Sequence, residues 1–136
     1  MTLLEQLELH EGRRRFPYVD SVGKLTIGCG RNLTDKGLRD DEIDYLLMND
    51  VRECVADLQG YEWWPRLDPV RRDVLTEMRF QLGAAGFRAF KGTLAAVAAG
   101  DYGLASERMA KSKVAREQAP KRWRVLARQM STGERT

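Results

Sequence analysis

Histidine is nearly missing from this chain: His10 is the only one in 136 residues. The two cysteines, Cys29 and Cys54, stand far apart and in no ligand-like spacing. Without a Cys/His donor set, no metal and no cofactor is expected. Two isolated cysteines form no disulfide framework either, and they read as reduced thiols partly in a core. No apolar run approaches the ~20 residues needed to span a bilayer, so no stable membrane association is expected. The opening Met1-Thr-Leu-Leu-Glu-Gln6 is acidic and amphipathic rather than basic and then apolar, so no signal peptide is read and synthesis in a cytoplasm is expected. Low-complexity linkers and internal repeats are also lacking, and the length suits a single domain, or two small lobes sharing a helix.

Charge is close to balanced, with Lys+Arg 23 against Asp+Glu 20 and a net +3. The excess is arginine, clustered at 13–15, 71–72 and 116–128. Such a surface suits an anionic polymer. With no recognised binding motif beside it, nucleic acid is not expected as a partner.

The periodicities describe an α+β chain. Thr2-x-x-Glu5 reads as a capping box, with Leu3, Leu4 and Leu7 at helical spacing and Gly12 as a left-handed stop. Phe16–Val19 and Lys24–Gly28 read as strands around an Asp20-Ser-Val-Gly23 turn. Asp40-Asp-Glu42 opens a long helix whose apolar stripe runs Ile43, Leu46, Leu47, Val51, Cys54, Val55 and Leu58. Asp68-Pro69 caps another helix, ending at Gly83. Shorter helices are expected near 84–89, 91–99, 102–112 and 120–130, with a loose tail from Ser131.

Chemistry concentrates between Glu11 and Gly30. Glu11 sits at a helix C-terminus, Asp20 at a hairpin turn, and Thr26 on the returning strand. Two carboxyls on different rigid elements are what glycoside hydrolysis needs: one protonates the leaving oxygen and one handles water or the sugar cation. A carboxyl at a helix C-terminus faces the negative end of the dipole, a setting in which a proton donor keeps its proton. Each residue also has a plainer reading. Glu11 is then a surface glutamate before a helix stop, Asp20 a turn aspartate bonded to its own backbone, and Thr26 a β-branched strand residue. Period-two alternation places Lys24, Thr26 and Gly28 on one face of the strand and Leu25 and Ile27 on the other.

The segment Glu11-Gly12, Tyr18-x-Asp20, Gly23-x-x-Thr26-Ile27-Gly28-x-Gly30 resembles the active-site segment of the phage-type lysozymes (endolysins), glycoside hydrolase family 24. The resemblance runs on through Asp68-Pro-Val-Arg-Arg72, Phe80-Gln81-x-Gly83, Phe90, Thr93-Leu94, Ala110-Lys-Ser112, Pro120-Lys-Arg122 and Thr132-Gly133. It implies a lysozyme-like α+β fold: a small antiparallel β hairpin or sheet lobe joined by a long helix to a larger helical lobe. The boundaries fall at about 13–38 for the β lobe and about 39–58 for the connector, with 1–12 plus 59–136 in the helical lobe, all one catalytic domain.

The resemblance also implies roles. Glu11 is the general acid, Asp20 the carboxylate base or cation stabiliser, and Thr26 the group that positions water, with inversion at the sugar. Gly28 and Gly30 support the segment, and Arg122 is the arginine that pairs with Glu11. Asn32, Phe80, Gln81, Thr93 and Arg108 fall at substrate-binding positions, although Asn32 and Arg108 stand where the family has Leu and Asn. A basic Arg108 there suits a carboxylate on the substrate. Where the family pairs a histidine with an aspartate, this chain offers Arg31 and Asp50, and the loop after Thr34 is shortened. The implied activity is a muramidase cutting the β-1,4 bond between N-acetylmuramic acid and N-acetylglucosamine. The implied partners are bacterial peptidoglycan and a holin or other release route. The protein is expected as a monomer, held in the host cytoplasm before acting on the periplasmic wall. The competing readings are a lytic transglycosylase, a wall-binding pseudo-enzyme and a basic nucleic-acid module.

Overall fold

The computed structural model describes residues 1–135. The chain divides into two compact units, Met1–Leu46 and Leu47–Thr136. A small three-stranded antiparallel sheet near the N-terminus precedes a mostly helical region, so the α+β expectation stands.

In the first unit, helix α1 (Leu3–Glu11) opens with the expected reciprocal cap. The Glu5 N–H donates to Thr2 Oγ1 at 3.1 Å and the Thr2 N–H donates to Glu5 Oε2 at 2.7 Å. Gly12 ends the helix at φ 80° and ψ 168°, outside the left-handed helical well read from the sequence. The chain therefore leaves the helix extended and runs straight into a strand. Strands β1 (Arg14–Val19), β2 (Leu25–Gly28) and β3 (Arg31–Asn32) pair in the order β1-β2-β3. Tyr18 and Asn32 flank Thr26 on either side in register. The β1–β2 ladder shifts register between Arg14 and Tyr18, the stretch of an edge strand that holds Pro17, where a missing N–H costs no ladder bond.

Helix α2 (Asp40–Leu58) carries Asp40, Asp41 and Glu42 on its first turn. Its apolar stripe is buried only toward the C-terminal end, at Cys54 and Leu58. A 3₁₀ turn at Trp64–Arg66 follows, and then helix α3 (Pro69–Arg88), capped by Asp68, whose Oδ1 accepts the Arg71 N–H at 3.0 Å. Gly83 interrupts α3 at φ 76° and ψ 169°. The sequence reading of a stop at Gly83 and a new helix from 84 is thus realised as two helical pieces joined at one residue that only glycine fills without strain.

Helices α4 (Lys91–Ala98), α5 (Tyr102–Ala110) and α6 (Pro120–Thr132) complete the second unit, with a π turn at Val114–Gln118 that the sequence reading did not contain. They close over a core of Trp123, Phe87, Leu58, Leu75, Met78, Met109, Leu126 and Met130. Phe90 stacks on Trp123 with ring centroids 5.4 Å apart. The expected loose tail is corrected from Ser131 to Arg135, and Thr136 lies outside the described residues. Helix α6 runs to Thr132 and ends on left-handed Gly133. Arg71 donates to the Met130 carbonyl at 2.7 Å and to the Ser131 carbonyl at 3.0 Å, and Arg135 pairs with Asp73. Among the described residues, no helix is long and apolar enough to cross a membrane.

Candidate active site

Four of the sequence-derived site residues, Asp20, Thr26, Gly28 and Asn32, lie on the sheet of the first unit or its β1–β2 turn. Asp20 closes the β1–β2 turn: its Oδ1 accepts the N–H of Val22 at 3.0 Å and of Lys24 at 2.8 Å. The turn reading of Asp20 is therefore correct, and it uses one carboxylate oxygen. Within Met1–Leu46, Oδ2 takes no side-chain or backbone donor and remains available for chemistry.

Thr26 is tied to the same turn. Its hydroxyl donates to the Lys24 carbonyl at 2.9 Å, and the Asp20 N–H donates to that same oxygen at 2.9 Å. One peptide unit, that of Lys24, thus fixes both Asp20 and Thr26. Because the Thr26 proton is committed to a carbonyl, the hydroxyl has only acceptor capacity left for a further partner. Sequence reasoning missed Lys24. It acts through backbone atoms, and the sole signal for it was the length of the turn that places it opposite Asp20.

On β2 the Lys24–Thr26–Gly28 face is the more covered at its centre. Thr26 is 4% exposed, while Leu25 on the other face is 42% exposed. Asn32, next to Thr26 on β3, uses its amide in a turn: Nδ2 donates to Asp35 Oδ2 at 3.0 Å and Oδ1 accepts the Asp35 N–H at 3.0 Å. Lys24 Nζ meets the same Asp35 carboxylate at 3.2 Å.

Glu11 ends α1 with an exposed side chain that lies over Gly30. A methyl group at Gly30 would sit 2.7 Å from Glu11 Oε2 and 3.0 Å from its Cδ. Gly30 also has φ +74°. The backbone conformation requires glycine, and a side chain there would also push the Glu11 carboxyl from its place. Gly28, at φ +69°, faces open space, so only its conformation demands glycine.

A fork of charge ties the shortened loop to α2. Arg31 Nη1 donates to Glu42 Oε1 at 2.7 Å, Arg31 Nη2 lies 2.6 Å from Glu42 Oε2, and Nη1 also donates to the Gly37 carbonyl at 3.1 Å. The carboxylate that takes Arg31 is Glu42, where the sequence reading had Asp50. The Arg31 hydrogen bond, helped by the Arg39 N–H, lowers the Glu42 pKa to about 2. Arg31 in turn is held above its ordinary value by Glu42.

The remaining predicted residues lie in the second unit. Phe80, 42% exposed, lines a groove of about 330 Å³ with Leu47, Val51, Thr76, Glu77 and Arg122. Arg122 Nε donates to Glu77 Oε2 at 2.8 Å, so the acid that engages it in this unit is Glu77. Gln81 points elsewhere: its Oε1 accepts the Trp123 indole N–H at 2.9 Å and joins α3 to α6. Thr93 is buried within the first turn of α4, whose N-cap is Phe90. Thr93 and Arg108 line one groove together with Lys91 and Gly92.

The family model described as phage lysozyme matches residues 8–130, which takes in Glu11, Asp20, Thr26 and the helical region through most of α6. A search of curated proteins gives no match.

Proposed function

The chain belongs to the phage lysozyme family, peptidoglycan-degrading hydrolases, and on that premise we propose that it is a muramidase cutting the β-1,4 bond between N-acetylmuramic acid and N-acetylglucosamine. The observation that carries the finer assignment is the shared anchor of Asp20 and Thr26 on the Lys24 peptide. Glu11 gives its proton to the departing glycosidic oxygen. A water donates one hydrogen to Thr26 Oγ1, which has no proton left to offer it, and the other to the free Oδ2 of Asp20. Its lone pair is then turned toward the anomeric carbon, and Asp20 takes the proton as the new C–O bond forms. A water between carboxylate and sugar makes the reaction inverting. Phe80, exposed on its groove, offers an apolar face to a sugar ring.

This reading carries its setting with it. The enzyme acts as a monomer on the periplasmic wall after leaving the host cytoplasm by a holin or similar route, and it takes no nucleic acid.

The test is product analysis of purified peptidoglycan digested by wild type and by Glu11→Gln. Wild type releases reducing-end muropeptides, and the variant loses about 10²- to 10⁴-fold in rate, the usual worth of a positioned general acid. Anhydro-muramyl ends would assign the chain to the lytic transglycosylases and remove the water from the scheme. A folded wild type without cleavage would make it a wall-binding pseudo-enzyme.

A further inference from the structure

The β2–β3 ladder ends in an exchange of partners. Leu25 stands opposite Leu33 in the register set by Thr26–Asn32 and Ile27–Arg31. A hydrogen-bonded antiparallel pair exchanges both of its N–H···O=C bonds. The first is present, with the Leu33 N–H donating to the Leu25 carbonyl at 2.8 Å. The carbonyl that would complete the pair has turned into the next loop, where Leu33 O accepts the Gly37 N–H at 3.1 Å. Thr34 stands in for it: its Oγ1 accepts the Leu25 N–H at 2.8 Å. A side-chain hydroxyl thus closes the ladder where a main-chain oxygen belongs.

The nitrogen that Thr34 holds is one end of the peptide that anchors the proposed water-handling pair. The Leu25 N–H and the Lys24 carbonyl lie in one planar unit. At its oxygen end that unit accepts the Thr26 hydroxyl and the Asp20 N–H, each at 2.9 Å. Thr34 grips the opposite end. A peptide plane held only at its oxygen can tilt about the bonds on either side of it, and a plane held at both ends cannot. The bond to the N–H also polarises the peptide and makes its carbonyl a stronger acceptor.

The residues beside Thr34 hold the neighbouring groups. Leu33 holds the Leu25 carbonyl, and the Asp35 carboxylate holds Lys24 Nζ at 3.2 Å. Asp35 is braced in turn by Asn32, which donates to its carboxylate and accepts its N–H, both at 3.0 Å. The Asp35 pair is exposed and acts at the end of a flexible side chain, so it contributes little direction. Of the three, Thr34 alone bonds the shared peptide.

We infer that Thr34 is a positioning residue for the hydrolytic step. It acts through the Lys24–Leu25 peptide on Thr26 and Asp20 and touches neither substrate nor water. The inference rests on the muramidase reading above and deepens it: the loop after β3 sets the direction in which the Thr26 oxygen faces the water.

The experiment pairs steady-state kinetics on soluble peptidoglycan fragments with NMR of the free, full-length protein. The variants are Thr34→Val, which keeps the shape and removes the acceptor, and Thr34→Ser, which keeps the acceptor. In Thr34→Val, kcat falls about fivefold, the worth of one neutral hydrogen bond, and KM stays as in wild type. Thr34→Ser recovers most of that loss. Three-bond couplings show a single Thr26 χ1 rotamer in wild type and in Thr34→Ser, and an average over rotamers in Thr34→Val. The exposed position of Thr34 suits Thr34→Ala as a second acceptor-free variant if the valine protein does not fold.

Equal kcat in wild type and Thr34→Val would overturn the inference, as would a loss confined to KM or one that serine does not recover. Thr26 averaging in Thr34→Val, in a protein whose wild type cuts no peptidoglycan, would keep Thr34 as the residue that sets Thr26 and overturn the muramidase reading. Cleavage by wild type, with a Thr26 rotamer that Thr34→Val leaves unmoved, would do the reverse.

Discussion

Between Met1 and Leu46 the one buried side chain belongs to a threonine, Thr26, while the residues from Leu47 onward close around Trp123, Phe87 and Met109. The first unit is held by named polar contacts: the Asp20 turn, the Asn32–Asp35 pair and the Arg31–Glu42 fork. The second is held by apolar burial, with polar groups such as Gln81 and Arg71 fitted at its seams. The proposed chemistry sits in the unit with almost no core. Hydrogen bonds and ion pairs have fixed directions, so they can place a carboxyl or a hydroxyl, whereas apolar packing gives more stabilisation and less direction. Each unit therefore fails in its own way when changed.

The largest expected effect is in the helical unit. Trp123→Ala removes a fully buried ring, its stack with Phe90 and its bond to Gln81. It should cost about 3–5 kcal/mol in chemical denaturation, the range for deleting a buried aromatic. A cost below ~1 kcal/mol would mean that the apolar core is not what holds this unit.

Gly30→Ala comes next and strikes the other unit. A side chain at φ +74° costs ~1–2 kcal/mol, and the methyl displaces the Glu11 carboxyl. Peptidoglycan cleavage should fall by about tenfold to a hundredfold, as expected for a catalytic group moved by about 1 Å, while circular dichroism keeps its helical signal. Unchanged turnover would show that Glu11 does not depend on its seat over Gly30.

The smallest effect is one of pH. The folded-state pKa of Glu42 lies near 2, below the ordinary 4.5, so the Arg31–Glu42 fork contributes fully above about 4.5. That contribution is lost as pH falls toward about 2. In urea melts Glu42→Gln should flatten the acid limb between these values and lower stability slightly at neutral pH. An acid limb identical to wild type would show that the fork adds nothing, as exposed pairs often do.

Much of the candidate site was legible because it is local. Glu11, Asp20 and Thr26 stand on a short stretch of helix, turn and strand whose capping, turn and alternation signals are written in neighbouring residues. The capping box at Thr2 and the break at Gly83 are legible for the same reason. The partner of Arg31 was not: Glu42 and Asp50 are both acids on one helix, and only the path of the loop decides which comes within reach. Gln81 was read as lining a cleft, yet its partner, the Trp123 indole, is 42 residues away in sequence and known only once α3 meets α6. The tail from Ser131 was read as loose, but Arg71 and Asp73 hold Ser131 and Arg135 from α3.

By itself, then, the sequence determined the α+β class, the order of helices and strands, and the residue types set between Glu11 and Gly30. These follow from contacts a few residues apart, where backbone geometry leaves little choice. Tertiary structure alone decided that one carbonyl, that of Lys24, holds both Asp20 and Thr26, that Thr26 is buried while Leu25 beside it is exposed, and that Gly92 makes room for Arg108. Each of those depends on distances between atoms that the chain brings together only when it folds.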